Sequence, residues 1–125
     1  MDVYGGNMQL KQVELKDLLV NKANDRHGEL SDENQAIEWL LTNKSTHMKN
    51  LAKDIVKSGE IYEIPLVAKD GKKYTVYDGN RRVTTLKLIH APQLAPTSEW
   101  AKFYSDQKQK WSGTFPKSIS CQIEN

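Results

Sequence analysis

The sequence feature that most constrains the fold is the stretch 73–89, in which a strand pattern changes into a helix pattern. β-branched and aromatic residues alternate over 73–77, and Gly79 interrupts the alternation. Apolar residues then recur at helical spacing: Val83, Leu86 and Ile89. The stretch therefore predicts a strand, a tight turn and a helix that begins at about Asn80.

The predicted turn has the properties of an anion site. The first N–H groups of a helix have no partner within it, and the helix dipole is positive there. Gly79 lets the backbone approach a ligand, while Arg81 and Arg82 add two guanidinium groups. Adjacent helical residues point about 100° apart, so we expect Arg81 to face a phosphate and Arg82 to brace the loop or a carboxylate. A surface salt bridge to a carboxylate such as Asp78 is the alternative explanation of the two arginines.

Length and composition favour one domain with no strong overall charge. The chain has 125 residues, and 18 basic against 16 acidic residues give a formal net charge of +2, so any basic site must be local. A single cysteine, Cys121, excludes an internal disulfide. Without a signal peptide or a long apolar run, we expect a cytoplasmic protein with no membrane partner. The domain is expected over 8–125, after a flexible lead-in at 1–7.

The residues before the central stretch predict a strand and two helices. An apolar and polar alternation predicts a half-buried strand over 8–13. The leucines after it suggest a short helical turn: Leu15, Leu18 and Leu19. A helix is expected over 32–42, and a more regular one runs from a cap at Ser45 or Thr46 to Gly59.

A hairpin leads into the central stretch, and a helix and a strand follow it. We predict a strand over 64–68 and a turn at Asp70 and Gly71. Thr97 is expected to cap a helix whose aromatic residues lie in the core: Trp100, Phe103 and Tyr104. Stacking of these rings on single-stranded nucleic acid is the alternative, because lysines lie between them. The last strand is expected over 119–123, with a structural Cys121 on the face opposite Ile119 and Ile123.

These elements predict an α+β fold with a small mixed β-sheet and packed helices. No metal site is expected, because no carboxylate cluster has metal-binding spacing. His47, near the cap of the second helix, is expected to be solvated rather than a ligand.

The sequence resembles the N-terminal domain of ParB-like proteins, over roughly 8–123. The segments that carry the resemblance are Ser58–Val67, the Asp70-Gly71 turn and the run Asp-Gly-Asn-Arg-Arg-Val-Thr-Thr-Leu at 78–86. The resemblance implies a ParB/sulfiredoxin-like fold and a triphosphate site for a cytidine nucleotide. It implies that four residues hold phosphates: Gly79, Asn80, Arg81 and Arg82.

Five other features belong to this expected nucleotide site. Asp78 opens the motif, and Thr84 is expected as a hydroxyl donor. Three residues of the first connector are expected to complete the pocket, with Arg26 as a third cation: Asn24, Asp25 and Arg26. The ligand is expected to be a nucleoside triphosphate such as CTP. Whether magnesium binds with it is left open.

The motif departs from the family at Asn80, where ParB-like proteins usually have a glutamate associated with hydrolysis. It also resembles the Asp-Gly-Gln-Gln-Arg-Leu-Thr-Thr-Leu motif of the GmrSD-type restriction family. Nucleotide hydrolysis and DNA cleavage by a nuclease or restriction component are therefore left open, as is a non-enzymatic module that binds DNA or protein. DNA is expected to be reached through additional domains or partner chains, and a homodimer is left open.

Overall fold

The structure is a computed structural model that describes residues 8–21 and 33–124. The helices are α1 (Glu33–Asn43), α2 (Ser45–Ser58), α3 (Asn80–His90) and α4 (Ser98–Lys110). The strands are β1 (Met8–Glu14), β2 (Leu18–Leu19), β3 (Leu66–Asp70), β4 (Lys73–Asp78) and β5 (Ser118–Glu124). Short 3-10 turns occupy Leu15–Asp17 and Pro92–Leu94. The predicted α+β class with a small mixed sheet is confirmed. The lead-in at 1–7 and the predicted site residues Asn24, Asp25 and Arg26 lie outside the described residues.

The strands form one mixed sheet in the order β1-β5-β3-β4-β2. β1 pairs antiparallel with β5 and β3 with β4, whereas the β5–β3 and β4–β2 pairs are parallel. Alternate residues of β4 and β5 are buried, so the sheet has one core face. The start of β3 lies beside the end of β4, near the start of α3.

Helix α3 is the central element of the described fold. Every residue from Val83 to Ile89 is buried, which is typical of a helix surrounded by other elements rather than one lying on the surface. Only its first turn and its last residue reach solvent. The chemistry available to α3 is therefore concentrated at its N-terminal end.

One partly buried ion pair ties α3 to the elements on either side of the first connector. Lys87 Nζ lies 2.7 Å from Glu33 Oε2 and also donates to the backbone oxygen of Leu18. The same Glu33 oxygen accepts from the backbone N–H of Val20 at 2.7 Å. α1, α3 and the chain after β2 are thus joined around one charge pair.

Most predicted elements are confirmed, with shifted ends. The hairpin closes at Asp70 and Lys73, with Gly71 at φ +64°, and α3 begins at Asn80. Thr97 caps α4 by accepting from the N–H of Trp100 at 3.1 Å, and Tyr104 is fully buried. These aromatic residues belong to the core or pack against it, as expected.

Three local predictions were wrong. Leu18 and Leu19 form strand β2 beside β4 rather than a helical turn, which is confined to Leu15–Asp17. The N-cap of α2 is Lys44, because the helix already includes Ser45 and Thr46. The third strand begins at Leu66, since Ile64 and Pro65 precede the paired residues.

Cys121 was also expected on the wrong face of the last strand. Residues two apart in a strand share a face, and Ile119, Cys121 and Ile123 are all buried. Burial raises the pKa of the Cys121 thiol from 9.0 to about 11. The predicted structural role of this cysteine is consistent with that position.

Among residues 8–21 and 33–124, no helix combines the length and the apolarity needed to cross a membrane.

Candidate functional site

A cleft of about 380 Å³ lies where the first turns of α2 and α3 approach each other. Helix α2 contributes His47 and Leu51, and the connector 59–65 contributes Glu63. The end of β4 and the start of α3 supply the rest of the wall: Tyr77, Asp78, Gly79, Asn80, Arg81 and Arg82. The predicted motif therefore lines a cavity large enough for a small-molecule ligand.

Gly79 sets the direction in which α3 leaves the sheet. It is the N-cap of α3 and has a φ of +98°, which glycine adopts at low cost. A Cβ at this position would lie 3.2 Å from Cβ of Pro65, so the turn is also tightly packed. At the start of the helix, the backbone N–H of Val83 donates to Gly79 O at 2.9 Å. The N–H groups of the three residues between them precede the helical hydrogen-bond ladder.

Arg82 is held by a carboxylate of the connector. Its Nε lies 2.8 Å from Glu63 Oε2, and its Nη2 lies 3.0 Å from Glu63 Oε1. Such a paired arrangement fixes the guanidinium plane. The prediction that one arginine braces the loop or a carboxylate is confirmed for Arg82. The salt-bridge alternative also holds for Arg82, with Glu63 in the place of Asp78.

Arg81 has a different environment. Its Nη1 lies 3.5 Å from Nε2 of His47 across the cleft, and within residues 8–21 and 33–124 it forms no ion pair with a carboxylate. A charged guanidinium beside an imidazole keeps most of its hydrogen-bond donors available. Arg81 is therefore the cation of the motif that a ligand can reach without displacing a carboxylate.

The side chain of Asn80 faces inward and is 7% exposed. Its Oδ1 accepts from the backbone N–H of Asn21 at 2.7 Å, and its Nδ2 donates to the backbone oxygen of Val76 at 3.2 Å. The carboxamide thus joins the end of β4 to the chain after β2. The side chain of Asn80 is therefore not available to a phosphate, and only its backbone N–H could make the predicted contact.

Thr84 does not line the cleft, contrary to the expected role as hydroxyl donor. It is fully buried, because α3 is enclosed on every side from Val83 onward. Its Oγ1 has no hydrogen-bond partner among the described residues. Its neighbour Thr85 instead bonds back to the oxygen of Arg81 at 2.9 Å.

The two helices that line the cleft differ from the other two in the charge of their first turns. α1 and α4 have the usual acidic residue in the first turn, Glu33 and Glu99 respectively. α2 and α3, which face the cleft, have none. The two helices that line the cleft therefore have no acidic residue in the first turn to offset the positive end of the dipole.

Four wall residues were not predicted as site residues, namely His47, Leu51, Glu63 and Tyr77, and two of them contact the arginines. His47 and Glu63 are 34 and 19 residues from their arginine partners in the chain, so no local spacing could indicate these contacts. Both lie in or beside predicted elements, but only the packing of α2 and the connector on α3 brings them to the motif.

Over the described part of the chain, no group of three or more histidine, cysteine, aspartate or glutamate side chains could hold a metal ion. Asp78 lines the cleft as a single carboxylate beside the paired Glu63.

Comparisons of the chain with protein-family models, with curated proteins and with solved structures found no match. The ParB-like relationship thus stays a prediction based on the motif and the order of elements.

Proposed function

We propose that this domain binds a nucleoside triphosphate, with its phosphates against the first turn of α3 and CTP as the first candidate. The observation that carries the proposal is the difference in environment between the two arginines. Arg82 is neutralised and fixed by Glu63, while Arg81 lines the cleft and forms no ion pair within the described residues. A solvated salt bridge accounts for Arg82 but leaves Arg81 unexplained.

The charge of the surrounding helices supports an anionic ligand. An arginine at a helix N-terminus opposes the dipole unless an anion is present. Here Arg81, the residues on either side of it and His47 of the first turn of α2 all line one cavity. Phosphate oxygens accept from both guanidinium and backbone N–H groups, so a single polyphosphate satisfies all of them.

Asp78 favours a ligand that brings a cation with it. A lone carboxylate in the cleft wall repels bare phosphates, but it can attract a magnesium ion already coordinated by a triphosphate. We therefore propose that the magnesium complex is the form bound. Asp78→Asn is expected to reduce the dependence of affinity on magnesium concentration.

Binding rather than hydrolysis is the proposed activity. A general base must accept a proton from the attacking water, and a carboxamide does not do so at neutral pH. The carboxamide of Asn80 is also occupied at both ends by backbone groups. Asn80, at the position where ParB-like proteins usually have a glutamate, thus has a structural role here.

Calorimetric titration with ATP, CTP, GTP and UTP in magnesium tests this proposal. We expect saturable binding of at least one nucleotide, and Arg81→Ala should weaken it by roughly 10- to 100-fold, the scale of one or two charge-assisted hydrogen bonds. Lys53→Ala is the matched control, because Lys53 is an exposed cation of α2 that does not line the cleft. Absence of heat with all four nucleotides would contradict the proposal.

A titration with duplex DNA separates nucleotide binding from backbone binding. If the arginines served a DNA contact instead, affinity for DNA would fall steeply with salt and nucleotides would not compete. Under the present proposal, nucleotide affinity is retained at a salt concentration that abolishes DNA binding.

A further inference from the structure

We infer that His47 is a further ligand of the bound phosphates and makes nucleotide binding proton-linked. This inference rests on the proposed function, since it concerns the same cleft. It adds a residue from another helix and a dependence on pH that the motif alone does not supply.

The position of His47 opposite Arg81 carries the inference. His47 belongs to the first turn of α2, is exposed and lies with Nε2 3.5 Å from Arg81 Nη1. An imidazole without a proton on Nε2 accepts from the guanidinium. Once His47 is protonated, it and Arg81 are two neighbouring donors, and a phosphate oxygen beside the pair can accept from both. The phosphate therefore favours the charged imidazole.

The other charged groups around the cleft do not supply a competing partner of this kind. Glu63 is engaged by Arg82, and the remaining titratable wall groups are Asp78 and the phenol of Tyr77. Over the described ranges, neither Asp78 nor Glu63 forms a hydrogen bond or ion pair with His47. The group in contact with the imidazole of His47 is the cation Arg81. The ligand that fits beside both is therefore an anion.

A histidine changes its charge between about pH 5 and 8. In that range, binding of a phosphate between His47 and Arg81 is accompanied by uptake of up to about one proton, so affinity rises as the pH falls. Arg81 keeps its charge throughout, so within this pair of side chains only His47 can link phosphate binding to proton uptake.

The test is calorimetry with magnesium CTP over the range from about pH 5.5 to 8.5, repeated in buffers of different ionisation enthalpy. For the wild-type domain, we expect affinity to fall roughly tenfold across the range, with proton uptake near pH 7. His47→Gln should bind weakly throughout, and its remaining pH dependence should be that of the nucleotide's own phosphate. His47→Arg should bind tightly at every pH, because its charge is permanent.

His90→Gln is the matched control, since His90 lines a different cavity at the other end of α3. It should retain the wild-type pH profile, and circular dichroism should show that all variants are folded. An equal pH profile and an equal proton uptake in wild type and His47→Gln would overturn the inference while leaving nucleotide binding intact. Absence of binding by the wild type at every pH would instead contradict the proposed function, and the inference with it.

Discussion

Two adjacent arginines, Arg81 and Arg82, have separate tasks because successive helical residues point in different directions. Arg82 fixes the connector 59–65 against the start of α3 through Glu63. Arg81 remains in the cleft beside His47. The sequence allowed this division to be predicted, but the carboxylate that takes Arg82 became known only from the fold.

The two arginines are therefore expected to differ in their contribution to stability. Arg82→Ala should lower the free energy of unfolding by about 0.5–1 kcal/mol, since the Glu63 carboxylate is largely exposed and solvent weakens the pair. Arg81→Ala should change it by less than about 0.5 kcal/mol, because no ion pair is lost. Urea unfolding of both variants measures this difference. An equal loss in both would show that Arg81 has a structural partner.

The sequence shows that Asn80 departs from the family motif, but it did not allow the orientation of the Asn80 side chain to be predicted. The motif indicates that residue 80 begins a helix, yet only the contact with Asn21, just after β2, shows that its carboxamide faces inward. The result is a buried link between Asn21 and Val76 instead of a ligand contact.

Asn80→Ala should lower the free energy of unfolding by about 2 kcal/mol, because it removes two partly buried hydrogen bonds to the backbone. Asn43→Ala is the control. Its carboxamide makes an exposed bond to Trp39 O at 2.9 Å, so its loss should cost less than about 0.5 kcal/mol. Equal unfolding midpoints for Asn80→Ala and Asn43→Ala would contradict the structural role of Asn80.

At the scale of elements, the turn between β4 and α3 depends on the backbone of Gly79. We expect Gly79→Ala to cost about 2–3 kcal/mol, because it combines a left-handed backbone with a contact of 3.2 Å to Pro65. Gly59→Ala also places a side chain at positive φ, but a Cβ there has open space, so its cost should be about 1 kcal/mol. Chemical denaturation of the two variants isolates the crowding at Pro65. A cost for Gly79→Ala no greater than that for Gly59→Ala would contradict it.

The ion pair between Lys87 and Glu33 joins α1 and α3. Lys87 is 4% exposed and Glu33 is 23% exposed. Lys87→Met should therefore destabilise the fold by about 2 kcal/mol, as it leaves a partly buried carboxylate without its cation. Lys102→Met removes an exposed pair with Asp106 and should be nearly neutral, within about 0.5 kcal/mol. Similar thermal unfolding of the two variants would show that the Lys87 pair adds no net stability.

Elements with a long, regular pattern were predictable, whereas those defined by distant partners were not. The stripe of α2 and the strand-to-helix change at 73–89 carry their own periodicity. Strand β2 has two residues and exists because β4 lies beside it, so no local pattern could specify it. The position of Cys121 was an error of strand periodicity alone, since a spacing of two keeps a residue on the same face.

For the whole molecule, the buried thiol of Cys121 reports on global unfolding. Burial raises its pKa to about 11, so the reactive thiolate is scarce in the folded state near pH 8. A thiol reagent should label Cys121 only as fast as the core opens, and urea should speed the reaction. Rapid labelling of the native domain would contradict the position of β5.

The same shift gives a pH dependence of stability. Because the folded-state pKa is raised above its ordinary value of 9.0, the stabilisation is present below pH 9.0 and is lost as the pH rises toward about 11. Burial raises the pKa of Tyr104 as well, which acts in the same direction at higher pH. Urea unfolding should thus show falling stability above about pH 9, and Cys121→Ala should lack the thiol's share of that fall.

The domain as a whole carries a formal charge of only +2, so anion binding must depend on the cleft rather than on the overall field. The amide spectrum of the isotopically labelled domain, recorded by NMR during titration with magnesium CTP, tests this location most directly. We expect the largest saturable shifts at the amides of Gly79–Arg82 and of His47, and their loss in Arg81→Ala. Saturable shifts centred instead on the cavity of His90 and Trp111, or no shifts at all, would contradict the assignment of the cleft as the nucleotide site.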